Sequence, residues 1–137
     1  MQALIATVTQ LLKAGPPLRL AVLFGSHASG RAHPKSDVDI AILPADATLS
    51  LGHELALAAE LSRSLGREVD LVRIDRASTL LRWEIARHGV LVLAEPVWEW
   101  VRFRANTASE HADIAESLDR AAELLRRRLA GPAGRRI

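Results

Sequence analysis

Apolar residues recur along this chain with two different periods. Over residues 2–14, Leu4, Ile5, Val8, Leu11 and Leu12 share one helical face, and Gly15-Pro16-Pro17 stops the helix they predict. The next run, "LRLAVLF" (18–24), is apolar at nearly every position, as in a buried strand, and ends at Gly25-Ser26. Residues 25–36 carry Gly, Ser and Pro and read as a turn or loop. "DVDIAIL" (37–43) predicts a second strand, ended by Pro44. "LSLGHELALAAELSRSLG" (49–66) has helical character, with Gly66 as its stop. "EVDLVRI" (68–74) alternates and is β-branched, which predicts a third strand. "ASTLLRWEIARHG" (77–89) reads as a short helix with Ser78 as N-cap and Gly89 as stop, and "VLVLAE" (90–95) as a fourth strand.

From Pro96 to about Leu129 small and apolar residues (Val97, Val101, Ala105, Ala108, Ala112, Ala115, Leu118, Ala122, Leu125, Leu129) recur in steps of three or four, with no internal Gly or Pro. That spacing predicts one long helix, or two with a kink. "GPAGRR" breaks it, and residues 131–137 are expected to be a flexible tail. The order α-β-β-α-β-α-β-α predicts a small α/β (α+β) domain with helices over one sheet.

Composition narrows the class without naming a function. At 137 residues, 49% hydrophobic and 25% charged, the chain suits one globular domain with a single core. It has no Cys, which excludes disulfides, thiolate metal sites and a Cys nucleophile. No apolar run approaches the ~18 residues of a membrane span. "MQALIATVTQLLKAG" lacks a basic leader and reads as a mature helix, so a cytoplasmic protein with no membrane partner is expected. Net charge is +2, with Arg126, Arg127, Arg128, Arg135 and Arg136 late in the chain. A solvated helix end, where cations suit the dipole, accounts for them better than a nucleic-acid patch. Three Trp and two Phe are too few for a base-stacking platform.

Chemistry concentrates where the second predicted strand begins. Asp37 and Asp39 are two residues apart, so in a strand they point to one face with Cα atoms about 6.6 Å apart. Side by side they repel and need a partner: Arg or Lys, backbone N–H groups, or a hard divalent cation. Mg²⁺ takes oxygen ligands of this kind together with phosphates and water, and two such ions can clamp an in-line phosphoryl displacement. A surface edge or a turn-capping Asp would account for the pair alone. Gly25-Ser26 follows a buried strand, where a glycine lets the backbone approach a bulky anion and the N–H groups that follow could open a helical turn. A plain turn would account for it equally. Asp70 is polar in an apolar strand, with Val69 and Leu71 on the opposite face. It either pairs with Arg67 or Arg73, or completes a three-carboxylate cluster and accepts a proton from an attacking hydroxyl.

The spacing joins these pieces. Gly25-Ser26, ten residues, Asp37, one residue, Asp39 would arise by chance about 10⁻³ to 10⁻² times in a chain of this length. It resembles the signature of the polymerase-β-type nucleotidyltransferase superfamily. "LFGSHASGRAHPKSDVDIAIL", "EVDLVRI" and "LLRWEIARHGVLV" resemble the minimal nucleotidyltransferase (MNT) family, the short partners of HEPN-domain toxins in toxin–antitoxin pairs. The resemblance covers roughly residues 18–95. It implies a polymerase-β-like fold: a small mixed sheet of about four strands flanked by helices, with a long C-terminal helix. Residues 1–95 would be the nucleotidyltransferase core, and residues 96–130 a helix packed on the core or on a partner.

The resemblance also implies that Asp37, Asp39 and Asp70 hold Mg²⁺, as two ions, and that Gly25 and Ser26 hold the nucleotide's phosphates. Ser36 matches a position that supports the loop or a phosphate, and Arg31 a basic position beside the nucleotide. His27, His33 and Lys35 fall where the family varies, and the two histidines read as exposed loop residues. The reaction implied is attack of a hydroxyl on the α-phosphorus of ATP, with Asp70 as candidate base. The acceptor implied is a tyrosine of a cognate HEPN RNase toxin, silenced by AMP transfer. Trp98, Trp100 and Phe103 are candidates for docking a partner or covering the sheet, and Trp83, with Leu80 and Leu81, for core. Two alternatives stand beside the enzyme: an antitoxin that neutralises by occlusion, and a small-molecule (aminoglycoside-type) nucleotidyltransferase whose pocket a homo-oligomer completes.

Overall fold

A computed structural model describes residues 1–33 and 36–130 of the chain. Lys35 and the expected tail at 131–137, with Arg135 and Arg136, lie outside the described residues. The elements are α1 (Gln2–Lys13), β1 (Leu18–Phe24), α2 (Ser26–Ser29), β2 (Val38–Pro44), α3 (Leu51–Leu65), β3 (Val69–Arg73), a 3₁₀ turn (Ile74–Arg76), α4 (Thr79–His88), β4 (Val90–Ala94) and α5 (Glu99–Ala130). The strands form one mixed sheet in the order β3-β2-β1-β4. β1 runs antiparallel to β2 and to β4, whereas β2 and β3 are parallel, joined through α3.

The expected elements are all present, and their edges differ in ways that matter for the site. β2 starts at Val38, so Asp37 stands just outside the strand, and Pro44 is its last residue, buried opposite Leu18. The expected loop at 25–36 contains the one-turn helix α2, too short for any hydrophobic period to reveal. Ser50 and Ser78 cap α3 and α4, accepting from the His53 N–H at 3.2 Å and the Leu81 N–H at 3.1 Å.

The sheet is covered on both faces. On one, Val8 and Leu12 of α1 and Leu57 and Leu61 of α3 pack against Leu23, Val38, Ile40 and Ile42. On the other, Ile85 and Ala86 of α4 and Phe103 of α5 pack against Leu20, Val22 and Ala41. Gly89, between α4 and β4, has no room for a side chain between α4 and the sheet. A Cβ there would lie 2.3 Å from the Ile85 carbonyl oxygen and 2.4 Å from Val22 Cγ1. Arg73, buried at the end of β3, donates to Glu54 Oε1 and Asp75 Oδ2, each at 2.7 Å, and to the Leu49 and Ala47 carbonyls at 3.2 and 3.1 Å. It ties the 3₁₀ turn and the entry to α3 to one strand end. Its guanidinium holds the Asp75 carboxyl below the usual carboxylate range.

α5 is one continuous helix with two unlike halves. Near its start Glu99, Phe103 and Thr107 are buried, Arg82 of α4 pairs with Glu110, and the Trp83 ring stacks on His111 with centroids 4.1 Å apart. From Ala112 to Ala130 every residue is exposed. Trp83, expected in the core, is half-buried and belongs to neither core layer; Leu81 packs on the second layer and Leu80 is exposed. Of the three aromatics at the start of α5, Phe103 joins the core, Trp100 packs on its edge and Trp98 stays exposed. No helix among the described residues is long and apolar enough to cross a membrane.

Candidate active site

Strand alternation decides where the carboxylates go. In β2, Val38, Ile40 and Ile42 enter the layer under α1 and α3, so Asp39 faces the α4/α5 side. In β3, Val69 and Leu71 enter that same layer, so Asp70 faces the α4/α5 side too. The parallel register sets Asp39 directly opposite Asp70, on strands about 4.8 Å apart. On its other flank Asp39 is opposite Phe24, the residue before Gly25-Ser26. Three segments distant in sequence therefore meet at one end of the sheet.

Their electrostatics agree with their placement. Burial pushes the Asp39 carboxyl above its usual range, and the charges of Asp70 and then Asp37 push it further. Asp70 also raises it as a hydrogen-bond partner, while His27 acts in the opposite sense. Asp37 is exposed and reaches Asp39 through charge. Asp70 takes part in no ion pair among the described residues. Arg73 is engaged by Glu54 and Asp75, and Arg67 Nη1 lies 3.4 Å from His27 Nε2. The pairing of Asp70 with Arg67 or Arg73 that its neighbours suggested is thus not formed.

A divalent cation suits this donor set. The oxygens are hard, those of Asp39 and Asp70 face one side, and their mutual repulsion is what a cation would relieve. Among the described residues no three His, Asp or Glu side chains, Asp37, Asp39 and Asp70 included, are grouped so as to hold a metal ion, and the expected three-carboxylate cluster is drawn together only as the facing pair Asp39 and Asp70. Water and phosphate oxygens would complete the shell, as is usual for Mg²⁺.

Gly25 is required here by geometry. Its φ of 72° and ψ of −149° lie in a region that belongs to glycine. A Cβ on it would sit 2.1 Å from Asp39 Oδ2. The chain turns directly into α2 at Ser26, which is half-buried, and the Arg31 N–H donates to the Ser26 carbonyl at 3.0 Å. Gly25, Ser26 and Arg31 line one cavity of about 380 Å³. Ser36 is turned elsewhere: its Oγ accepts from the His33 N–H at 2.9 Å and its own N–H donates to the His33 carbonyl. Its position favours support of the loop.

Three residues near the site were not singled out by the sequence. His27 is half-buried on α2, not an exposed loop residue, and its Nε2 lies 3.2 Å from the Ser36 carbonyl oxygen, linking α2 to the entry of β2. Glu84 and His88 reach the cavity from α4. Their spacing of four residues puts them on one helix face, which was visible in the sequence, but such a pair also reads as a solvated face. His33 is exposed, as expected.

Residues 6–96 match the family described as "Polymerase beta, Nucleotidyltransferase". That match spans more than half of the chain, which therefore belongs to this nucleotidyltransferase family. Protein adenylyltransferase MntA of Shewanella oneidensis is 43% identical over 74 residues, which are 54% of this chain and 52% of that protein. The chain thus spans about half the length of this curated relative. A chain in the crystal structure of a toxin–antitoxin complex with AMP-PNP superposes with a TM-score of 0.74 at 32% identity, over 88% of this chain and 98% of that one. A chain in the complex of the tri-AMPylated Shewanella oneidensis HEPN toxin with its MNT antitoxin superposes at 0.70 and 29% identity, over 90% and 98%.

Proposed function

We propose that this protein is a Mg²⁺-dependent nucleotidyltransferase that moves AMP from ATP to a hydroxyl of a HEPN-domain toxin, a tyrosine's, and so acts as an antitoxin in the cytoplasm. The observation that carries the reading is the register of β2 and β3, which sets Asp39 opposite Asp70 beside the glycine turn. The relative named as a protein adenylyltransferase, and the two superposed complexes, support the substrate and the partner.

Each residue has a part in the transfer. Asp37, Asp39 and Asp70 hold the metal, as two ions, and Gly25 and Ser26 receive the phosphates. Bound Mg²⁺ supplies charge neutralisation on the phosphates and lowers the pKa of the attacking hydroxyl. The acceptor oxygen bonds to the α-phosphorus, the bond to pyrophosphate breaks, and the hydroxyl proton passes to Asp70, the outermost of the facing carboxylates. Arg31, exposed on the wall of the same cavity, offsets charge on the phosphates. Positioning and electrostatics carry the step, with no covalent intermediate on the protein.

The exposed half of α5 supports a macromolecular acceptor. Ile114, Leu118, Leu125 and Leu129 share a face that no part of the described chain covers. Exposed apolar surface of this kind marks an interaction site, and the toxin is the occupant we assign to it. The same surface favours a second reading, neutralisation by occlusion. Replacing Asp37 and Asp39 together by Asn separates the two. Toxicity restored with partner binding retained supports transfer, whereas neutralisation retained contradicts it.

A further inference from the structure

Two cavities flank α2, and only one is on the side of the carboxylates. Residues 27 and 30 of this turn, with Leu4 of α1 and Arg67, line a cavity of about 480 Å³. Leu4 packs into the α1/α3 layer, away from the face that carries Asp39 and Asp70. Ser26 and Ser29, on the other side of the same turn, line the cavity of about 380 Å³. Its remaining walls are Phe24, Gly25, Arg31 and, from the last turns of α4, Glu84 and His88. Phe24 packs into the α4/α5 layer and is paired with Asp39 across the sheet. This second cavity therefore lies on the side of the sheet that Asp39 and Asp70 face, though neither lines it, with the glycine turn as its near wall and α4 as its far wall.

The chemistry of these walls differs from one to the other. The near wall offers a Ser hydroxyl, a glycine backbone and an Arg, suited to phosphate. The far wall offers a carboxylate and an imidazole, and a half-buried Phe ring belongs to the same lining. A carboxylate faces away from phosphate by preference and toward N–H or hydroxyl donors, which a ribose and a base edge supply. An imidazole and a Phe ring suit the flat apolar faces of a base. At about 380 Å³ the cavity falls within the usual range for small-ligand sites.

We propose that this cavity receives the nucleoside half of the triphosphate, with Glu84 as hydrogen-bond acceptor and His88 as the flat contact. This deepens the nucleotidyltransferase reading and rests on it. It assigns base and ribose recognition to α4, where the acids and the glycine turn carry none. The phosphates then extend from the cavity past Gly25 and Ser26, and the α-phosphorus, adjoining the nucleoside, comes to the acidic face.

The test compares ATP with inorganic tripolyphosphate, which has the phosphates and no nucleoside. Each competes with fluorescent trinitrophenyl-ATP for the full chain in Mg²⁺ buffer. Wild type is expected to hold ATP more tightly than tripolyphosphate. Glu84→Ala and His88→Ala, both exposed and off the core, each weaken ATP about tenfold, equivalent to about 1.4 kcal/mol, and leave tripolyphosphate unchanged. Ser26→Ala weakens both ligands. Retention of the ATP preference in both α4 variants overturns the proposal, as does a wild type that holds the two ligands equally. AMP transfer to the partner is scored separately. Its absence alongside an α4-dependent ATP preference would remove the transfer reading and leave the nucleoside cavity standing.

Discussion

Replacing Gly25 by Ala tests the site at its tightest point. The new Cβ would stand 2.1 Å from Asp39 Oδ2, where real contacts essentially never fall below 3.0 Å. The carboxylate is the free end of a side chain, so it yields before the strand does, retreating by about 1 Å. Misplacing a reacting group or its ligand by about 1 Å costs on the order of 10²-fold in rate. The backbone adds a second cost, since φ of 72° with ψ of −149° strains any residue with a Cβ by about 1–3 kcal/mol. In a domain of this size that lowers Tm by roughly 3–12 °C. The assay is AMP transfer to the co-purified toxin by intact mass over time, beside a thermal melt. A folded variant with transfer slowed on the order of 10²-fold is the expected result. Transfer within threefold of wild type would refute the claim that Gly25 is there to let Asp39 keep its place.

Other expectations follow from the same geometry. Asp39→Asn should stabilise the metal-free protein near neutral pH while abolishing transfer. The folded-state pKa of Asp39 stands above its usual 3.8, so in wild type stability falls as pH rises from that value through the raised one, and Asn removes the loss. Added Mg²⁺ should raise the Tm of wild type and leave that of Asp39→Asn nearly unmoved. Arg73→Ala strands Glu54 and Asp75 and should cost about 3–5 kcal/mol in urea unfolding. It should also erase part of the acid limb, because stability that depends on the depressed Asp75 carboxyl is present above 3.8 and lost as pH falls through its lowered value. Gly89→Ala forces a Cβ against the Ile85 carbonyl and the Val22 methyl, neither a free side-chain end, and should cost about 1–3 kcal/mol in urea unfolding.

What the sequence made legible, and what it hid, follows from the range of each interaction. The run at 18–24, the cap Ser78 and the stop at Gly66 are local, and the structure agrees with them. Asp39 opposite Asp70 could be stated only as a condition, because strand neighbours and register are not local properties. α2 is a single turn, below the length at which any period registers, so His27 read as loop. Nothing local in the sequence sets Glu84 and His88 apart, and only the approach of α4 to the glycine turn makes them cavity walls. The apolar stripe of α5 was visible throughout its length, yet a stripe says that a face is apolar and not what covers it. The core takes the first half and leaves the second open.

The central claim is that carboxylates set together by β2 and β3 transfer AMP to a partner protein. Its most direct measurement is intact mass of both chains after incubation with α-labelled ATP, Mg²⁺ and a co-expressed HEPN partner, for wild type and for Asp37→Asn/Asp39→Asn. One or more AMP units are expected on the wild-type partner and none with the double variant, though the complex still forms. An unmodified partner in a stable wild-type complex would contradict it, and would leave neutralisation to the surface of α5.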